Sequence, residues 1–464
     1  MNYHLIGIGG VSMSGLAKLL ISQGHIVSGC DLKDCQIVKL PNGYKAKSTI
    51  KQFSHLAIYK GHDTKHITKD LDAVIVTAAA MHENSPANEE IKKAKELGII
   101  IITRSKLIGQ LMNDKIGIAI TGMHGKTTTT TMIGEILEKA GYDPTVLVGS
   151  TVKKWGGNVR LPSHFAKASR DNYFVVEACE YERQMLDFRP KIAVILNLEA
   201  EHLDTYPGGI KDIRQAFKKF IKLLPKNGLL VVNQDDKNIM PLTKAAKCKV
   251  KRFTIKKPWP GLSLKVPGKH NLIDATAAAR VCHELGVSHE IIKNTLNNFT
   301  GADRRFELKG EKNGVTVIDD YGHHPTEIKA TVQAANEYRV RVQSKSKLKP
   351  LTQNSKLIVV FQPHQYTRTK LLFNDFVKSF GGVDKLIISD VYLIAGREPQ
   401  EARADFSRDL VEAIKTQGIS AEYIASYDKI VEELRKTAKA GDLILTIGAT
   451  EIYKVGEQLL NPKP

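Results

Sequence analysis

The stretch Ile118 to Thr131, Ile-Ala-Ile-Thr-Gly-Met-His-Gly-Lys-Thr-Thr-Thr-Thr-Thr, constrains this chain more than any other. The apolar run from Lys115 to Ile120 predicts a buried strand, and Thr127 to Ala140 predicts a helix stopped by Gly141. Between them, Gly122 and Gly125 let the backbone bend tightly and bring its N–H groups up to an anion. The helix N-terminus adds a partial positive charge and Lys126 a full one. Thr127 then offers a hydroxyl to a magnesium ion on the phosphates. The usual phosphate loop has Gly where this chain has Ile120, so the motif is a compressed Thr-Gly-x-x-Gly-Lys-Thr. A solvated Lys on a Gly-rich turn is the blander alternative. Strand, turn, Gly-Lys-Thr and helix all agree, and this favours a nucleoside triphosphate site.

Two further α/β units flank this one. Tyr3 to Ile8 predicts a strand running into Gly7, Gly9 and Gly10, followed by a helix from Ser12 to Gln23 and a strand from His25 to Gly29 that delivers Asp31. This is the opening of a nucleotide-binding doubly wound fold. Its dinucleotide fingerprint is broken, because Ser12 stands where Gly or Ala is usual, so it points to a diphosphate rather than to NAD. Strands at Leu71 to Thr77 and Ile99 to Thr103, with a helix from Asn88 to Leu97, complete a unit ending near Met112.

In the second unit, strands at Tyr173 to Ala178 and Lys191 to Leu196 carry Glu177 and point at Glu201, His202 and Asp204. A small-residue helix is predicted from Leu272, with Asn271 as its N-cap. The third unit reads as strands at Val315 to Ile318, Lys356 to Phe361, Lys385 to Asp390 and Asp442 to Ile447. Helices alternate with them at about Thr326 to Tyr338, Lys370 to Phe380, Ser407 to Gln417 and Tyr427 to Ala438. Gln343 to Ser355 reads as an exposed loop. The expected fold class is α/β: three doubly wound, mostly parallel sheets in domains 1–112, 113–302 and 303–464, the central one P-loop ATPase-like.

Composition excludes several classes. Five scattered cysteines without a Cys-x-x-Cys pair argue against a disulfide framework and for a reducing cytoplasm. No apolar run reaches the roughly 18 residues that a membrane helix needs. The net charge of +19 comes with only 6% aromatic residues and no aromatic-and-basic platform, so nucleic acid is not expected as a partner. That charge suits anionic small substrates.

An ordered set of motifs resembles the Mur ligases of peptidoglycan synthesis. They are His4-Leu-Ile-Gly-Ile-Gly-Gly10 with Met13-Ser-Gly15, the phosphate loop, Val176-Glu-Ala-Cys-Glu-Tyr181, Glu201-His-Leu-Asp204, Pro267-Gly-Lys-His-Asn271, Asp303-Arg-Arg-Phe306, Asp319-Asp-Tyr-Gly-His-His-Pro-Thr-Glu327 and Phe361-Gln-Pro-His364. They span nearly the whole chain. The resemblance implies a ligase that joins L-alanine to UDP-N-acetylmuramate with ATP and Mg2+ through an acyl phosphate, without membrane insertion, as a monomer or homodimer. It implies that Gly122, Gly125, Lys126, Thr127, Thr128, His270, Asn271, Arg305 and Asp320 bind ATP, and that Thr127, Glu177 and His202 bind magnesium. For the nucleotide sugar and amino acid it implies Gly9, Gly10, Ser12, Asp31, His62, His124, Tyr321, His323 and Arg368, with Lys126, Glu177, His202 and His323 catalytic and the third domain closing over the amino acid. Met123, Gln365 and Thr450 depart from the family pattern. Three alternatives stay open: a recycling ligase that attaches a preformed peptide, an NAD-dependent oxidoreductase, and a non-catalytic nucleotide-binding scaffold.

Overall fold

The computed structural model describes residues 1–32, 51–53, 55–77, 79–81, 85–162, 172–345, 355–394 and 398–461. Cys35 and residues 346–354 of the expected Lys- and Ser-rich loop lie outside them. The helix Pro325–Lys345 runs past the expected end at Tyr338 and takes in the start of that loop.

Three sheets organise the chain, each mostly parallel with one antiparallel edge pair. The first orders its strands Lys51–Phe53, Leu56–Lys60, Ile26–Asp31, Asn2–Ile6, Ala73–Val76, Ile100–Thr103. In the second, the phosphate-loop strand Ile116–Thr121 lies between Tyr173–Glu177 and Ile192–Ile195. In the third, Leu443–Ile447 lies between Val315–Asp320 and Leu357–Phe361. These inner strands read as continuous Val, Ile and Leu because helices cover both faces, which leaves no side for polar residues.

By compactness the chain divides into two units: Met1–Ser263 with Ile273–Ala302, and Leu264–Leu272 with Asp303–Pro464. The first two sheets thus share one unit. The short segment Leu264–Leu272, expected in the central domain, clusters with the third sheet. Its Gly268 has room for no side chain, since a Cβ there would lie 3.0 Å from that of Ala334.

Several edge elements escape the periodicity of the sequence. Lys249–Phe253 is a strand whose sequence Lys-Val-Lys-Arg-Phe alternates charge with apolar residues, as a solvated edge does. The helix expected at Lys370 to Phe380 is two short ones, Tyr366–Leu371 and Phe373–Val377, broken at Leu372. The helix containing His270 and Asn271 begins at Lys269, so Asn271 is not its N-cap. Asn271 lies in the first turn and donates through Nδ2 to the carbonyl of Pro267 at 2.6 Å.

The first unit is sewn together by close contacts. Helix Val11–Ser22 packs on strands Thr145–Val152 and Gly157–Arg160, and the Asn158 amide donates to the Val11 carbonyl. Helix Arg104–Met112 docks on the turn Tyr181–Asp187, where Arg104 Nη2 donates to Gln184 at 2.6 Å and the Ser105 hydroxyl to Asp187 at 2.5 Å. At Gly109 a Cβ would stand 2.4 Å from the backbone oxygen of Asp187. Ala is ordinarily the better helix former by about 1 kcal/mol. Here the clash reverses the sign. Gly109→Ala should destabilise the first unit by about 1–3 kcal/mol, the usual penalty of overpacking. Urea unfolding followed by tryptophan fluorescence measures it, since Trp155 and Trp259 both lie in that unit; an unchanged or raised midpoint would contradict the packing.

Candidate active site

The phosphate loop forms as its sequence requires. The strand Ile116–Thr121 ends at Gly122, at φ +134°, and Gly125, at φ +82°, opens the helix Lys126–Lys139. Space as well as φ demands glycine at both places. A Cβ on Gly122 would lie 3.1 Å from the Asn197 nitrogen, and one on Gly125 only 2.4 Å from the Asp274 carboxylate. The first N–H groups of the helix have no partner within it and face the loop. Asn197, just past the neighbouring strand Ile192–Ile195, braces the turn. Its Oδ1 accepts from the His124 N–H at 2.8 Å and its Nδ2 donates to the His124 carbonyl at 3.0 Å. The His124 ring pairs through Nε2 with Glu199. Met123, buried in place of the usual Thr, engages by its backbone N–H, 3.3 Å from the Asn197 carbonyl.

Lys126 folds back on this loop. Its ammonium donates to the carbonyls of Gly122 at 2.5 Å and Met123 at 2.9 Å, and meets Glu180 at 3.0 Å. Burial works against its charge, but the carboxylates of Glu180 and Glu201 and the Cys179 thiol outweigh that and keep it firmly protonated. Glu180 is itself only 2% exposed. Its burial opposes ionisation, but Lys126 and His202 outweigh that and hold its pKa below the ordinary carboxylate value. The His202 Nε2 lies 3.2 Å from Glu180 Oε1, and His202 reaches that position from a left-handed backbone, φ +54°. Tyr206 closes the cluster by donating its hydroxyl to the Glu180 carbonyl at 2.5 Å.

Lys126 and His202 therefore meet as expected, but the carboxylate between them is Glu180. Glu177 ends its strand and accepts from the Gly149 N–H at 2.6 Å. Glu180 was missed because a strand-end Glu is the obvious ligand. The fold instead leaves the strand after Glu177 and turns sharply, with Glu182 and Arg183 both at positive φ, which brings the later Glu inward. Thr127 and Thr128 are buried in the first turn of the helix.

The glycine loop of the first sheet is held from the adjoining strand. Gly7 and Ile8 donate their N–H groups to the Cys30 carbonyl at 2.8 and 3.1 Å, and Gly9 donates to Asp31 Oδ2 at 3.0 Å. Gly10 caps the helix Val11–Ser22, on whose first turn Ser12 sits. Asp31 thus shapes the loop it was expected to accompany. His62 turns inward, its Nδ1 2.8 Å from Glu90.

The second unit gathers its own set. Asp320 is buried and accepts from the N–H of Phe306 at 2.8 Å, the N–H of Gly322 at 2.8 Å and the Thr331 hydroxyl at 3.2 Å. Arg305 lies over the Tyr321 ring at 5.1 Å, and His270 sits in the field of Asp320, Glu327 and Arg305. Arg304 reaches Asp319 at 2.9 Å and the Gly448 carbonyl at 2.5 Å. His323 Nδ1 lies 3.2 Å from the Tyr321 carbonyl, so Nδ1 carries the proton and Nε2 the lone pair. Among the described residues, Arg368 Nη1 and His364 Nδ1 are buried without a hydrogen-bond partner. Such groups suit an incoming polar ligand. His364 belonged to a motif already in view but was not singled out. Thr450 and Tyr427 both donate to Gln362 Oε1, which ties the altered Gly448 turn to the strand end, and Gln365 adopts φ +71° at the start of its helix.

Family models match much of the chain: "Mur ligase family, catalytic domain" over residues 2–40, "Mur ligase middle domain" over 120–260 and "Mur ligase, glutamate ligase domain" over 304–450. A UDP-N-acetylmuramate–L-alanine ligase of Caldanaerobacter subterraneus is 41% identical, covering 98% of this chain and 96% of that protein. One of Acetivibrio thermocellus is also 41% identical, covering 99% and 96%. Among solved structures, a UDP-N-acetylmuramate–alanine ligase of Thermotoga maritima shares the fold with a TM-score of 0.76 at 24% identity, covering 99% of this chain and 98% of that one.

Burial pushes His323 down to about 3 and His364 to about 4, with Arg368 adding to both effects. These lie below the unfolded value of about 6.5, so the unfolded chain takes up protons first. The stability that comes from neutral rings is complete above pH 6.5 and drains away as pH falls toward 4, at no more than about 1.4 kcal/mol per pH unit per ring. Hydrogen exchange of strands Val315–Asp320 and Leu357–Phe361 should therefore accelerate between pH 6.5 and 4.5 once the intrinsic rate is corrected. In carbon-13 spectra of labelled histidine the two rings should stay neutral at pH 5. Titration of both near 6.5 would contradict the arrangement.

Proposed function

The chain belongs to the Mur ligase family, and from that premise we propose that it joins L-alanine to the lactyl carboxylate of UDP-N-acetylmuramate at the expense of ATP, in the cytoplasm, as a step of peptidoglycan precursor synthesis. One observation carries the reading: a phosphate loop with a buried Lys126–Glu180–His202 cluster, in a chain that matches relatives of that name from end to end.

A carboxylate cannot be displaced by an amine directly, because oxide or hydroxide would have to leave. Transfer of the ATP γ-phosphoryl group to the lactyl carboxylate makes an acyl phosphate and ADP. The amine of L-alanine attacks the acyl carbon, the C–O bond to phosphate breaks, and the amine proton departs as inorganic phosphate leaves. Such chemistry rests on positioning and on charge neutralisation. The loop amides and Lys126 bind the β- and γ-phosphates, and Lys126 keeps its positive charge through the transfer. Asn197 and Asp274 keep the loop in shape.

The donor types fit magnesium: the Thr127 hydroxyl and the carboxylates of Glu177 and Glu180 are hard oxygens, and His202 lies 3.2 Å from Glu180. When bound, Mg2+ neutralises the phosphate oxygens. The Gly7–Gly10 loop with Ser12 and Asp31 binds the UDP diphosphate end. In the third domain, His270, Asn271, Arg305 and Asp320 serve ATP. The unsatisfied Arg368 suits the carboxylate of the amino acid, and neutral His323 offers its Nε2 lone pair to the amine side.

Phosphate release from the purified protein should require ATP, Mg2+, UDP-N-acetylmuramate and L-alanine together. Equal release with the L-alanyl tripeptide and none with L-alanine would overturn the reading in favour of a recycling ligase. Lys126→Ala should lower kcat by about 10²–10³, the usual loss on removing one group aimed at transition-state charge. Glu180→Gln, similar in size but uncharged, should lower it as well with the far-ultraviolet spectrum unchanged. Wild-type activity in Glu180→Gln would remove Glu180 from the site.

A further inference from the structure

One face of the first sheet carries a polar cluster that the ligation chemistry does not use. His4 lies mid-strand in Asn2–Ile6 and is fully buried on the face it shares with Ile6, Cys30, Val74 and Val76. The periodicity there calls for an aliphatic residue. Cys30 comes from the next strand, His66 from the turn Thr64–His66, and Glu90 from helix Asn88–Glu96, where it is 1% exposed. Four elements thus bring two imidazoles, a thiol and a carboxylate together, with one ligand atom of each lying within 4.8 Å of all the others.

The Glu90 carboxylate gathers the cluster, its Oε2 accepting from the Cys30 thiol at 3.3 Å. His4 Nδ1 is 2.8 Å from the Ser28 hydroxyl, whose own proton points to the Tyr3 carbonyl at 3.5 Å. The serine oxygen therefore accepts from Nδ1–H, which leaves the lone pair of His4 on Nε2. That Nε2 is buried without a hydrogen-bond partner among the described residues. A buried imidazole with one nitrogen braced by an outer acceptor and the other unsatisfied is the arrangement of a metal-ligating histidine. His66 Nδ1 is 2.9 Å from Glu90 Oε1, and His62 Nδ1 is 2.8 Å from Glu90 Oε2, which makes His62 an outer brace for the carboxylate. Stacking on Tyr59, with centroids 4.3 Å apart, fixes the plane of the His66 ring.

We propose that His4, Cys30, His66 and Glu90 form a closed zinc site in the first domain. Zinc takes sulfur, nitrogen and oxygen ligands at about 2.0–2.3 Å, which puts tetrahedral neighbours roughly 3.3–3.8 Å apart. The side chains need close by only about an ångström. Binding converts the Cys30 thiol to a thiolate and releases its proton to solvent. Zinc is favoured over magnesium by the thiol and the two imidazoles. The site would clamp four elements behind the glycine loop, whose Gly7 and Ile8 amides are held by the Cys30 carbonyl.

The test reads the metal itself, so its outcome is separate from that of the ligase reading. The full chain is stripped with chelator, desalted, given two equivalents of Zn2+ or Co2+, and passed through a desalting column. Elemental analysis should find about one equivalent of zinc, and the cobalt form should show thiolate-to-cobalt charge transfer in the near ultraviolet. Cys30→Ser should abolish that band and cut retained zinc at least tenfold, and His66→Gln should do so too, which guards against one variant failing to fold. Cys179→Ser should keep both. Less than a tenth of an equivalent on the wild type, or a charge-transfer band that survives in Cys30→Ser, overturns the site.

Discussion

Lys126 and Glu180 depend on each other, and the ordering of the central site depends on them. An ammonium and a carboxylate taken this far from water each cost several kcal/mol unless paired, and breaking such a pair by removing one member leaves the other stranded. Here the pair is tied further. Lys126 also holds two loop carbonyls, and Glu180 also holds His202. Before any nucleotide arrives, the loop carbonyls thus face a cation and the cation faces an anion. Phosphate oxygens entering the loop compete with Glu180 for the same ammonium. The carboxylate would then need a new positive partner, the electrostatic role that the proposed function gives to a divalent cation.

Topology explains why these groups meet at all. In the first two sheets the strand carrying the glycine-rich loop sits where the winding reverses, so loops at its C-terminal end part to either side and leave a crevice. The register fixes how far each side chain reaches. Glu177 pairs with Ile120 and Ile195 with Thr121, so all three strands of the central site end at one level. Residues one to three positions beyond that level, Gly122, Glu180 and Asn197, follow directly on the strand ends. Backbone clearance is as restrictive as charge there. Gly125 has its neighbour in the Asp274 carboxylate, so the loop cannot accept a side chain without moving the helix behind it.

Much of this was legible in the sequence, for identifiable reasons. Strands buried on both faces announce themselves as aliphatic runs, and the phosphate loop announces itself because Gly, Gly, Lys and Thr each answer a separate physical demand. What stayed hidden was set by tertiary closure. Glu177 and Glu180 are equivalent as residue types; only the positive-φ turn at Glu182 and Arg183 decides which carboxylate meets Lys126. Asn271 looked like a cap because helix starts are local, but the helix begins two residues earlier, and its amide reaches back to Pro267 instead. Edge strands such as Lys249–Phe253 are too short and too charged to be told from loops. The compact unit around Leu264–Leu272 follows no composition boundary.

The histidines show how far one side chain's chemistry is written by its surroundings. His202 faces the buried Glu180 carboxylate, its Nε2 3.2 Å from Oε1. His323 and His364 are buried beside Arg368, and burial first and that charge second lower their affinity for protons. A cationic ring beside Arg368 would repel the ammonium of an amino acid before it could lose a proton and attack. Neutrality there is consistent with a site that admits an amine. The proton affinity of these two rings follows from how deeply the fold buries them and from the charged neighbour it brings within reach.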